Sequence, residues 1–210
     1  MWVVPRPVAP GPCILAPWLE ALPPGPRDLL ALLPVADING FALSAIGGLK
    51  RRPDPGLFAA IFCADPFLRV RDVVEALQRA GIRGVTNFPT VQAIAGQTAR
   101  DLDSADLGVQ REIRVLGDFA RAGLQIAAFA SSAEAGALMG RLGAGCVILH
   151  PGPAATDWRG RAAAARRTAE AIRSLRHLTD VPVRLFYPDG FNSALDPAAR
   201  LVDGVVRYGN

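Results

Sequence analysis

The run L57-FAAIFC-63, followed by F67-LRVRDVVEALQRAG-81 and I82-RGVTNF-88, decides how this chain folds. Seven apolar residues in a row read as a strand buried on both sides. In the next stretch Leu68, Val70, Val73, Val74 and Leu77 recur at the spacing of one helical face, and Gly81 stands where a helix C-terminus favours glycine. A second buried-strand run starts at once, so the unit is strand, helix, strand, with parallel strands implied by the connecting helix.

The unit recurs downstream. IRGVTNF leads through a loop to a helix within LGVQREIRVLGDFARAG, ending at Gly123. LQIAAFA precedes a helix in SSAEAGALMGRLGAG, where Ser131 or Ser132 can cap the first turn and Glu134 favours its dipole. GCVILH, an arginine-rich helix, VPVRLFY, a short helix near 196–203 and GVVRY complete the series. Upstream, PCILAP (12–17) reads as a strand and INGFALSAIGGLK (38–50) as a helix closing at Gly47 and Gly48. That makes seven strands, or eight if Met1–Val4 forms one; residues 1–12 otherwise read as irregular. The expected fold is an α/β, (β/α)8 TIM barrel in one domain spanning 1–210, incomplete or shortened at its first and last β/α units, because such barrels usually take about 250 residues. A doubly wound open sheet calls for a glycine-rich phosphate loop after its first strand, and the sequence offers none.

Composition narrows the function classes. Half of the 210 residues are hydrophobic and a fifth are charged, a globular balance. The formal charge of +4 is carried by arginine, with Lys50 the only lysine. The basic cluster Arg159, Arg161, Arg166, Arg167, Arg173 and Arg176 falls on one helix and reads as a solvated outer face, so no nucleic-acid partner is expected. Cys13, Cys63 and Cys146 lie in apolar runs without metal-ligand spacing and read as core residues of a reduced, cytoplasmic protein. The proline-broken N-terminus lacks a signal-peptide core, and no run of about twenty apolar residues offers a membrane span.

Asp65, Asn87, His150 and Tyr187 each follow a predicted strand at its C-terminal end, the catalytic face of a barrel. His150 is suited to general acid–base work, or to pairing with neighbouring backbone. Asp65 precedes a proline, where an aspartate can also start a turn or cap a helix. Asn87 ends a buried strand, and its amide needs a partner there. Thr90, Gly96 and Gly152 can present donors to an anion, although Gly152 also suits a turn in its PGP context. His177 reads as a helix-end surface residue.

The segments LLPVADIN (32–39), ADPF (64–67), GIRGVTNFPTV (81–91) and LGAGCVILHPG (143–152), with their spacing, resemble the phosphoenolpyruvate hydrolase-like TIM-barrel family, relatives of the isocitrate lyase and phosphoenolpyruvate mutase superfamily. The resemblance runs from about residue 13 to the C-terminus, and the NFPT block carries most of it. It implies a small anionic 2-oxo or enol acid substrate, such as phosphonopyruvate or phosphoenolpyruvate, an enolate route, and Mg2+. It places Asp65 as metal ligand and, with His150 and Glu112, as catalytic residue. Asn87, Thr90, Asp37, Asn39 and Gly152 fall to substrate binding. Three segments depart from the family pattern. DLDSADLGVQ (101–110) replaces a glutamate-rich segment, with Asp103 and Ser104 at glutamate positions; Tyr187-Pro188-Asp189 replaces a histidine before paired glycines; and APWLEALPPGPRD (16–28) replaces an arginine-bearing loop. These departures support a second expectation, a catalytically degenerate barrel serving as a sensor or an assembly partner. The shortened ends support a homo-oligomer.

Overall fold

The computed structural model describes residues 1–7, 11–23, 25–50 and 53–209. Among them eight parallel strands close into one barrel in chain order: β1 (Trp2–Val4), β2 (Cys13–Leu15), β3 (Leu57–Ile61), β4 (Gly84–Asn87), β5 (Gln125–Ala130), β6 (Ala144–Leu149), β7 (Val183–Phe186) and β8 (Gly204–Tyr208). β1 pairs with both β2 and β8, so part of the segment expected to be irregular closes the barrel. Residues 8–10 of that segment lie outside the described residues.

The strand cycle is complete, and the shortening falls on the helical cover. Among the described residues no helix joins β1 to β2. After β2 come α1 (Arg27–Leu30) and α2 (Ile38–Gly47), and before β8 stands only α8 (Asp196–Ala199). The remaining cover is α3 (Val70–Ala80), α4 (Gly96–Ser104), α5 (Val109–Arg121), α6 (Ala133–Arg141) and α7 (Trp158–Leu178). α4 occupies the stretch after β4 that was expected to be a loop. Caps follow the sequence closely. Gly81 takes the left-handed conformation at φ 75° behind α3, where a side chain would be strained. Ser132 accepts from the Ala135 amide and caps α6.

Alternation along the strands sorts the core into two bodies. Leu57, Ala59 and Ile61 of β3, Val85 of β4, and Val147 and Leu149 of β6 face the helices, in the larger cluster. Their neighbours Ala60, Ile148, Phe186 and Val206 point to the barrel axis, in the smaller one. There the rings of Phe88, Phe129 and Phe186 meet at 4.7–5.5 Å between centroids, with Trp18 and Tyr208 against them. Each of these buried rings removes apolar surface worth roughly 1.5–3 kcal/mol from water, so the axis is a packed plug with any site above it. Gly84 marks a tight point, since a Cβ there would lie 2.6 Å from Phe58 Cδ1 and 2.8 Å from the Leu57 carbonyl oxygen.

All three cysteines are buried and none is in a disulfide among the described residues, as their apolar context predicts. The arginines of α7 lie along its exposed or half-buried side, and His177 is exposed at its end. No described helix is long and apolar enough to cross a membrane.

Candidate active site

The same alternation decides which strand-end residues reach the barrel mouth. His150 continues the inward parity of Cys146 and Ile148, and its ring sits over Phe186 at 5.0 Å. Asn87 shares the outward parity of Val85, and Tyr187 that of Val183 and Leu185, so both turn to the helical layer. Tyr187 donates to Asp196 Oδ1 at 2.9 Å. All these residues share the C-terminal end of the barrel, but not one opening.

His150 Nε2 lies 3.0 Å from Asp28 Oδ2, and the two side chains are 1% and 8% exposed. The Gly152 amide donates to His150 Nδ1 at 3.0 Å. Because Nδ1 accepts, the ring proton of the neutral imidazole sits on Nε2 and is aimed at Asp28. Asp28 is carried by α1, which starts after Gly25, at φ +140°, and Pro26. Gly25 makes the turn that an L side chain resists, and Pro26 sets the backbone angle suited to a first helical turn. Burial pushes the Asp28 carboxyl up, yet the hydrogen bond from His150, together with backbone amides, outweighs it and holds the group below its ordinary range.

Above this pair opens a pocket of about 750 Å³ lined by Arg27, Asp28, Gly152, Thr156, Asp189 and Tyr208. These residues come from the loops after β2, β6 and β7 and from the end of β8, all at the catalytic end of a barrel. The Arg27 guanidinium lies 5.2 Å above the Tyr208 ring and donates to the Leu19 carbonyl at 3.4 Å. Most of its donors therefore remain available to the pocket. Tyr208 Oη is buried beside the Asp28 carboxylate, without a hydrogen bond of full geometry among the described residues. Burial and then the charge of Asp28 raise its phenol above the ordinary value, so it stays a donor.

Asn87, Thr90 and Glu112 come together elsewhere, in a closed network between β4, β5 and α5. Glu112 Oε2 accepts from Thr90 Oγ1 at 2.7 Å, Asn87 Nδ2 at 3.1 Å and Gln92 Nε2 at 3.1 Å, while Oε1 accepts from the Val91 amide at 2.9 Å. Asn87 also exchanges hydrogen bonds with the Phe129 backbone, and Gln92 accepts from the Ser131 amide. Burial pushes the Glu112 carboxyl up to about 7 against the pull of these donors. With Glu112 and Asn87 at 0% exposure, the cluster clamps the loop after β4 and does not line the mouth pocket.

Asp65 and Asn39 form a third group. Asn39 Nδ2 donates to Asp65 Oδ2 at 2.9 Å and the Phe67 amide to Asp65 Oδ1 at 2.8 Å, while Arg111 donates to the Asp65 carbonyl at 2.8 Å. Asp37 caps α2 by accepting from the Gly40 amide. These residues do not fit a magnesium ion. The one central carboxylate is hydrogen-bonded at both oxygens with an arginine on its own carbonyl, and no group of three His, Cys, Asp or Glu side chains converges among the described residues to add further carboxylates. Gly96, at φ +72°, makes the turn into α4.

Sequence reading thus brought His150 and Gly152 to the mouth but missed Asp28, Arg27, Tyr208 and the clamp residue Gln92. A signal was present: the charged pair Arg27-Asp28 after PPGP interrupts an apolar stretch just beyond β2, and Tyr208 has the inward parity of Val206.

Comparison with known proteins agrees with this architecture. Among curated proteins, the uncharacterized protein y4oT of Sinorhizobium fredii is 37% identical over 105 residues, 49% of this chain and 52% of that protein. The ToMV resistance protein Tm-1(GCR237) of Solanum lycopersicum is 28% identical over 166 residues, 79% of this chain and 22% of that protein. The chain spans about half or less of the length of these relatives. The carboxyl transferase domain of Rhizobium etli pyruvate carboxylase, solved with oxalate, aligns at a TM-score of 0.50 and 13% identity over 83% of this chain and 31% of that one, a likeness of fold alone. The phosphoenolpyruvate hydrolase-like family model matches residues 25–184, from the turn that starts α1 to the beginning of β7, so the chain is a member of the phosphoenolpyruvate hydrolase-like family.

Proposed function

We propose that this barrel is an enzyme acting on a small 2-oxo or enol acid, and that its working groups are Asp28, Arg27 and Tyr208 at the mouth, with His150 as the positioning residue behind Asp28. The observation that carries this reading is the buried Asp28–His150 pair, 3.0 Å apart, at the edge of a pocket that also holds Arg27. A carboxylate kept ionised beside a pocket can take a proton from the carbon next to a carbonyl, or hand one back to an enol. Arg27 matches the substrate carboxylate in charge and planar geometry. The Tyr208 hydroxyl is a donor for the oxygen on which negative charge develops, and such donors act most strongly where water is excluded. His150 fixes the carboxylate's orientation through Nε2, and the Gly152 amide fixes the ring. Membership of the family supports the choice of substrate class. Nothing in this scheme passes through Asp65 or Glu112.

The test is a panel of phosphoenolpyruvate, phosphonopyruvate and pyruvate, read by turnover and by thermal shift. A ligand at a hundred times its dissociation constant stabilises by about 2.7 kcal/mol. Turnover of one member, lost in Asp28→Asn, is the expected result. Binding without turnover would favour a sensor, and neither binding nor turnover would remove the assignment.

A further inference from the structure

The opposite, N-terminal end of the barrel holds a cation that stands outside every ion pair among the described residues. Arg184 is the second residue of β7 and shares the inward parity of Phe186, so its guanidinium enters the barrel from below. Its Nε is buried without a hydrogen-bond partner, and the group makes no ion pair among the described residues. The neighbouring acid Asp203 is already committed, accepting from Arg176 at 2.9 Å and from the Val183 amide at 2.8 Å. Burial raises the thiol of adjacent Cys146, and Arg184 only partly offsets that, so Cys146 stays protonated and supplies no negative charge. A cavity of about 440 Å³ opens here, lined by Arg184, Cys146, Gly145, Gln125, Phe58 and Pro182, with no carboxylate in its wall. Taking a cation partly out of water without a partner is costly, and a guanidinium is a planar fork suited to oxyanions.

We infer that this N-terminal cavity is a second binding site, taking a small oxyanion, phosphate or carboxylate, on Arg184. It is separate from the mouth pocket and does not depend on the reaction proposed there. The cavity also contains its own reporter: Cys146 is 8% exposed, whereas Cys13 and Cys63 are 2% and 0% exposed.

The test measures iodoacetamide alkylation of each cysteine by mass spectrometry, with inorganic phosphate or acetate replacing chloride at constant ionic strength, and melting temperature in parallel. At ten times the dissociation constant of the anion, Cys146 alkylation should slow about tenfold, as site occupancy dictates, and the melting temperature should rise saturably. Protection by phosphate alone, or also by acetate, identifies which oxyanion the site takes. Both effects should vanish in Arg184→Gln and persist in Arg27→Gln. Should Arg184→Gln fail to fold, Cys146 protection in the unaltered protein remains decisive. Unchanged Cys146 alkylation in both anions overturns the inference. So does an effect that survives Arg184→Gln, or one that is lost in Arg27→Gln instead.

Discussion

Two substitutions at Asp28 should differ sharply if the Asp28–His150 geometry is as described. The Gly152 amide donates to Nδ1, so Nε2–H is the donor and Asp28 Oδ2, 3.0 Å away, the acceptor. Asp28→Asn keeps an acceptor oxygen of the same shape and loses only the charge assistance. Hydrogen bonds to charged groups contribute about 1.5–3 kcal/mol and neutral ones about 0.5–1.5, so the expected cost is about 1 kcal/mol. Asp28→Leu fills the space but leaves a buried imidazole N–H without an acceptor, which adds about 1–3 kcal/mol, for a total near 3 kcal/mol. Urea unfolding at neutral pH, with the slope checked for constancy, measures both. Because the folded carboxyl lies below its ordinary value of 3.8, its stabilising share is complete above that value and disappears as pH falls through the folded one. The acid limb of the stability profile should therefore be shallower in Asp28→Asn. Equal costs for the two variants, or a cost below about 0.5 kcal/mol for Asp28→Leu, where even a bare lost hydrogen bond should exceed it, would refute the tautomer and the pairing. Full turnover in Asp28→Asn would refute the catalytic role while leaving the pairing intact.

Four other outcomes are expected. Glu112 is held at about 7 in the fold against 4.5 ordinarily, so the native state retains a proton that the unfolded chain releases; stability should fall as pH rises from about 4.5 through 7, by on the order of 3 kcal/mol. Unfolding measured across that window should show the slope, and Glu112→Gln should flatten it. Gly84→Ala should cost about 1–3 kcal/mol by denaturation, since the added methyl meets the Phe58 ring and a carbonyl oxygen that cannot withdraw. Added magnesium should leave the melting temperature unchanged, because Asp65 is hydrogen-bonded at both oxygens; a saturable rise lost in Asp65→Asn would restore it as a ligand. Light scattering should find more than one subunit, given Phe67 at 88% and Val35 at 62% exposure, with Phe67→Ser shifting the equilibrium toward the monomer.

Local chemistry in the chain determined the strand and helix sequence, the parallel barrel, the Gly81 and Ser132 caps and the arrival of His150 at the catalytic end, because buried runs, 3.6-residue spacing and capping residues act over a few neighbours. The family was legible in short blocks for the same reason: NFPT and its flanks sit where the backbone turns out of β4. Alternation along the strands was legible, but not its sense, because both faces of these strands are apolar. Packing decides that Val85 and Asn87 turn outward and Ile148 and His150 inward, which removes Asn87 from the mouth. Tertiary structure alone decided the partners. Asp28 and His150 are 122 residues apart in the chain, and only barrel closure, which sets the loop after β2 against the end of β6, brings an ordinary helix-start aspartate to a buried imidazole. Glu112 likewise gained its four donors, and lost its access to solvent, when α5 packed across β4. Spacing along a sequence records what a residue can do, whereas the charge it carries and the ligand it can reach depend on groups delivered from distant segments.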